Sequence, residues 1–159
     1  MEEETDSDYS NKMIEAFIGK PEVTLWYQLS FKKFNINGID SMKWNWSWWA
    51  CFTGFLFLLY RKQYIPALVL FCFSTIIGFL PFGFLISMVL SGGYATYFVY
   101  KGYKTKLEEI EAHISDENER VKTMREVAGV HQWVIWVYGI FIAILFLSIF
   151  SLLLPIALA

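Results

Sequence analysis

All 13 Lys and Arg residues of this chain fall in two stretches, 12–62 and 101–125, while the runs 63–100 and 127–159 carry no Asp, Glu, Lys or Arg. About 20 apolar residues suffice to cross a bilayer as a helix. A charge held at the centre of such a helix costs about 2.5–3.5 kcal/mol on insertion scales. Two long, electrically silent runs therefore predict an integral membrane protein. The composition, 56% hydrophobic and 19% aromatic, is too apolar for an ordinary soluble domain. A net charge of −2 argues against nucleic acid, which requires a basic patch.

The charge pattern divides the chain into five segments. Residues 1–8 hold five acidic side chains and no basic one, the composition of a disordered, solvated tail rather than of a signal peptide. Residues 9–43 read as a cytoplasmic helical cap. Ser10 is a candidate N-cap for a helix through Met13, Ile14, Phe17 and Ile18, Gly19 ends it, and Pro21 opens a second helix running to about Phe34. Asn35-Ile36-Asn37-Gly38 is a turn signal.

Residues 44–100 hold a Trp-rich segment and a transmembrane hairpin. Trp44, Trp46, Trp48 and Trp49 crowd the start of an apolar stretch that ends at Tyr60, Arg61 and Lys62. Trp and Tyr favour the headgroup boundary, where one edge of the ring is wet. Gly78 to Gly83, with Pro81 between them, breaks the following run into two crossings. In the second, Ser87, Ser91 and Ala95 recur every four residues beside Gly92, a small-residue face for close helix packing or for a partner.

Residues 101–129 read as a charged cytoplasmic helix or stalk, with Leu107, Ile110, Ile114, Val121 and Met124 as an apolar contact stripe. Ser115-Asp116 is a candidate cap where that helix would restart. Residues 130–159 supply a last transmembrane helix opened by Trp133 and Trp136 at the interface. Cys51 and Cys72 sit in apolar segments and read as small buried hydrophobes. His113 and His131 lack a ligand spacing, so no metal or other cofactor is expected.

Two topologies compete. If residues 44–60 span, Lys12, Lys20, Lys32, Lys33 and Lys43 face one side and the eight later cations the other, a poor asymmetry for the rule that cytoplasmic loops collect Lys and Arg. If they lie in the interface or dip in and return at Gly54, every cation is cytoplasmic. The expected fold is thus an all-α integral membrane protein with three spanning helices, a Trp-rich interfacial or re-entrant helix and a cytoplasmic N-terminus. Four spanning helices are the alternative.

The strings Ala16-Phe17-Ile18-Gly19-Lys20-Pro21, Trp44-Asn45-Trp46-Ser47-Trp48-Trp49-Ala50 and Leu58-Leu59-Tyr60-Arg61-Lys62-Gln63-Tyr64 resemble the bacterial inner-membrane family catalogued as domain of unknown function 2628. The resemblance covers roughly residues 13–106, and the block from Trp44 to Lys62 is its specific part. Many members have Gly-Pro in mid-block, where this chain has Gly54-Phe55, and the family pattern does not include the final span. It implies a bacterial cytoplasmic membrane and no activity.

An enzyme needs titratable groups converging on a site, and an ion-coupled carrier marks its path with intramembrane charges. The apolar runs offer only hydroxyls such as Thr53, Ser74, Thr75, Ser87, Ser91 and Thr96. The reading that remains is a non-catalytic accessory, scaffold or assembly subunit of a larger inner-membrane complex, without a small-molecule substrate. It would act through membrane lipid and protein–protein contacts with that complex or with its own copies. A small oligomeric channel or transport component is the alternative.

Overall fold

The computed structural model describes residues 2–36 and 38–157, with side chains described for residues 8–36 and 38–151. It is mostly helical. In chain order the elements are α1 (Glu2–Ile18), α2 (Pro21–Phe34), β1 (Asn35–Ile36), β2 (Ile39–Asp40), α3 (Trp48–Thr53), α4 (Phe55–Tyr60), α5 (Tyr64–Ile77), α6 (Gly83–His113), α7 (Glu117–Val127) and α8 (Trp133–Ala157).

Local chemistry explains most boundaries. Gly19 leaves α1 with φ +65, a conformation that costs glycine nothing, and Pro21 supplies a pre-set φ for the first turn of α2. The Asn35–Gly38 turn signal becomes a short antiparallel hairpin pairing Asn35 with Asp40 and Ile36 with Ile39. Asp116 caps α7 by accepting from the Glu119 amide at 2.9 Å, the restart expected at Ser115-Asp116.

Four local expectations are corrected. Ser10 lies inside α1, which begins at Glu2, so it is no N-cap, and the backbone of the acidic start is helical rather than irregular. Cys51 is buried but Cys72 is exposed on the outer face of α5. Residues 101–129 are no free-standing stalk. The charged half of α6 continues the apolar half without a break, and α7 folds back on α1.

The best-packed core therefore sits at the polar end of the molecule. Met13 and Phe17 of α1, Phe31 and Phe34 of α2, Tyr100 and Tyr103 of α6 and Met124 of α7 are all buried there. Their rings interlock: Phe31 stacks on Tyr103 at 5.3 Å, and Phe17 meets the same ring edge-on at 5.4 Å. Below this cap, α3 packs on α6 and α4 on α5, with α5 lying along α6.

Two helices, α6 and α8, are long and apolar enough to cross a membrane, while α5 is apolar but shorter. They are buried to very different degrees. Over the apolar window of α6, 56% of residues are buried; for α8 it is 6%.

Candidate functional site

The Trp-rich segment is the structural centre of the molecule. Residues 44–47 run extended along α6, where the Asn45 amide donates to the Gly93 carbonyl at 3.0 Å and the Ser47 amide to the Gly92 carbonyl at 2.8 Å. Only glycine allows this approach. A Cβ on Gly93 would come within 2.4 Å of the Trp44 ring, and one on Gly92 within 3.0 Å of Trp46 and Cys51. Ser47 then caps α3, accepting from the Ala50 amide.

Gly54 separates α3 from α4 with φ 55 and ψ −126, a backbone state essentially reserved for glycine. Each half-helix has six residues, about 9 Å of rise, far short of the hydrocarbon thickness. Both ends of the segment return to α2. Asn45 donates from Nδ2 to the Ser30 hydroxyl at 3.0 Å, and the Arg61 guanidinium lies 4.8 Å from the centre of the Tyr27 ring. Ser30 and Tyr27 are one helical turn apart, so the segment goes out and comes back.

Arg61 is 6% exposed. Its Nη1 donates to the Ile18 carbonyl at 3.0 Å, satisfying an acceptor that α1 leaves open at its C-terminus. Lys62 and Lys106 do the same for α7, donating to the carbonyls of Ala128 and Val127. A cation at the negative end of a helix dipole is favourable. Burial, and then the neighbouring Lys62, hold the Lys106 ammonium below its ordinary pKa. Arg61 and Lys62, expected as interface residues, thus serve as internal fasteners. Trp44, Trp48, Trp49, Trp133 and Trp136 remain exposed, whereas Trp46 and Tyr60 are half-buried.

The two expected recognition surfaces are covered by this chain itself. Ser87 bonds the Ser74 hydroxyl on α5, Ser91 donates to the Ala50 carbonyl of α3 at 2.9 Å, Gly92 is filled by Trp46, and Ala95 is 1% exposed. The small-residue face is a helix-packing face, closed to a partner. Ile110 and Met124 are likewise buried, with Leu107, Ile114 and Val121 packed against the same core. The stripe meets α1, so it is no cytoplasmic docking surface.

What the fold leaves open is a cleft of about 450 Å³ between α2, the Trp-rich segment, α4 and the base of α8. Trp26, Trp48, Leu56, Phe57 and Ile135 give it apolar walls, and Lys20 and Arg61 are its charged lining residues. A second cavity of about 380 Å³ lies between α3, α5, α6 and α8 and has no ionisable lining group apart from Cys51 and Tyr138. Lys20, Trp26 and Tyr27 were not singled out from sequence. The signal available was Lys20 at the Gly-Lys-Pro junction, whose spatial neighbour, Tyr60, is 40 positions away.

Among the described residues no three His, Cys, Asp or Glu side chains come together as metal ligands. No family model matches the chain, and neither the curated proteins nor the solved structures provide a match.

Proposed function

We propose that this chain is a non-catalytic accessory or assembly protein of a bacterial cytoplasmic membrane. It is anchored by three crossings, α5, α6 and α8, with α3–α4 as a re-entrant dip and the cap in the cytoplasm. The cap supports this topology by its contacts. Tyr9 donates to Glu111 at 3.0 Å, and Lys104 pairs with Asp40 at 2.7 Å, so residues 8–43 and 101–127 belong on one side of the bilayer. All 13 cations then share that side.

One observation carries the functional reading: α8 stands away from the bundle, touching it chiefly through α4 and through its base. The His131 amide donates to the Tyr60 carbonyl at 2.9 Å, and beyond it Trp136, Ile140, Ile144 and Leu147 are exposed. Several buried polar groups elsewhere serve structural contacts, Ser30 with Asn45 and Ser91 with the Ala50 carbonyl among them. In the apolar helices Thr53, Thr75 and Ser148 each bond the carbonyl four residues back, which leaves few hydroxyls to line a pore. A helix so little packed within its own chain is suited to seat a larger membrane protein.

Purification in mild detergent from the native membrane tests this. A stoichiometric membrane partner should accompany the wild-type chain. It should be lost when Ile140, Ile144 and Leu147 are replaced by Ala. A chain that purifies alone and conducts ions in planar bilayers would replace this reading with the pore.

A further inference from the structure

The cleft beside Arg61 has the two chemistries of an amphiphile, divided between its lining residues. Its walls are aromatic and aliphatic, and its only formal charges are the cations of Lys20 and Arg61, with no acidic side chain among the residues that line it. Lys20 lies over the Tyr60 ring at 5.5 Å, and Arg61 over the same ring at 5.7 Å, so one tyrosine gathers both cations at one end.

Two donors there are unsatisfied. Arg61 is buried, its Nη1 is taken by Ile18, yet its Nε has no hydrogen-bond partner among the described residues. The indole Nε1 of Trp46, which lines the same cleft, is also buried without a partner. Leaving a buried donor unpaired costs about 1–3 kcal/mol, more for a charged group. An acceptor seated in the cleft removes that cost. Arginine and an indole N–H together favour an anionic oxygen, and the guanidinium fork matches phosphate.

We infer that this cleft binds an anionic phospholipid, its phosphate against Arg61, Lys20 and the Trp46 indole and an acyl chain along Trp26, Trp48 and Ile135. The placement fits the surroundings, because the mouth is rimmed by exposed Trp48 and Trp49, residues suited to the headgroup layer. The site goes beyond the accessory role and needs no protein partner; the two share only bilayer placement.

The full-length chain in a neutral maltoside detergent, supplied with equal amounts of phosphatidylglycerol and phosphatidylcholine, tests this by native mass spectrometry. One phosphatidylglycerol should be retained about fivefold or more over phosphatidylcholine, the preference that one well-placed cation confers near a membrane surface. Lys20→Gln and Trp46→Phe should each reduce that preference, and the double variant should abolish it. Lys20→Gln leaves the packing in place, and an unchanged melting temperature verifies this without disturbing the Arg61 fastener. Trp46→Phe withdraws the ring atoms that fill the Gly92 notch, so its lipid preference is read at a temperature where the variant remains folded. Equal retention of the two lipids, or a preference that survives the double variant, overturns the site. Displacement of the lipid by millimolar inorganic phosphate alone would also overturn it, in favour of a simple anion site. Loss of a protein partner in the α8 experiment would leave each of these outcomes unchanged.

Discussion

Arg61 reaches back 43 positions to the carbonyl of Ile18, and this 3.0 Å bond ties the exit of the α3–α4 segment to the end of the first helix. The same guanidinium covers Tyr27. Besides the unbroken α6 and the Asn45–Ser30 bond, this buried cation joins the cap to the apolar half, and its loss should be felt in both.

Replacing Arg61 by Met leaves the Ile18 carbonyl open and the Tyr27 ring uncovered. A hydrogen bond to a charged group contributes about 1.5–3 kcal/mol and a desolvated cation–π contact about 2 kcal/mol, not additively. The expected loss is about 2–4 kcal/mol, seen as a lower denaturation midpoint and faster amide exchange at the C-terminal end of α1. Lys at this position should recover only part, since it lacks the planar fork. An unchanged midpoint in Arg61→Met would remove the fastening role.

Glycines separate sharply by environment. Gly93→Ala forces a methyl against the Trp44 ring, and Gly83→Ala forces one against the Ile77 backbone carbonyl, where overpacking costs about 1–3 kcal/mol. Gly139 in α8 has nothing within 4 Å of its would-be Cβ. There Ala should be neutral or stabilising by up to about 1 kcal/mol through helix propensity. Thermal unfolding of the three variants in one detergent checks the ranking, and equal losses at Gly93 and Gly139 would contradict the packing.

Sequence reasoning recovered what depends on local chemistry and on charge. Gly19, Pro21 and Asp116 act within one or two turns, and the silent runs 63–100 and 127–159 gave the apolar helices their approximate places. It misread surfaces. Ser87 and Ser91 do lie on a packing face, but its cover comes from Ser74 of α5, Ala50 of α3 and Trp46, and no periodicity announces the extended path of residues 44–47 along α6. Leu107 to Met124 read as a stripe for another chain because the helix that covers it, α1, lies about 100 residues earlier. The cleft was invisible for the same reason: Lys20, Trp46 and Arg61 meet only through tertiary contact.

The Asp40–Lys104 pair gives a pH signature. Hydrogen bonds from Lys104 and then from Tyr100 hold the Asp40 carboxyl below its ordinary pKa. Its stabilising contribution is therefore present above the unfolded value of 3.8 and fades as pH falls through the lower folded value. Lys104 is raised, chiefly by its bond to Asp40, so its contribution holds below 10.5 and fades as pH climbs through the folded value. Both side chains retain solvent contact, 24% and 33% exposed, which limits the effect to about 1 kcal/mol. Asp40→Asn should lower stability at pH 7 by that amount and flatten the acid limb. A variant whose stability tracks the wild type from pH 7 down to pH 2 would show the pair to be energetically idle.

Topology can be read by labelling. In a chain with Cys51 and Cys72 replaced by Ala, single cysteines at Lys43, Phe79 and Glu119 report on the cap, the α5–α6 turn and α7. Lys43, Phe79 and Glu119 are all exposed, with Phe79 87% open at the tip of the hairpin. The re-entrant arrangement requires Lys43 and Glu119 to react with a membrane-impermeant maleimide from the same face, and Phe79 from the other. A straight crossing by residues 44–60 would put Lys43 and Glu119 on opposite faces, against the Tyr9–Glu111 and Asp40–Lys104 contacts on which the proposed dip rests. Gly54 is the residue on which the difference turns. With φ 55 and ψ −126 it admits no Cβ without strain, so Gly54→Ala should cost about 1–3 kcal/mol although nothing lies near the added methyl. Stability unaltered by that substitution, together with Lys43 and Glu119 labelling from opposite faces, would replace the dip with a fourth crossing.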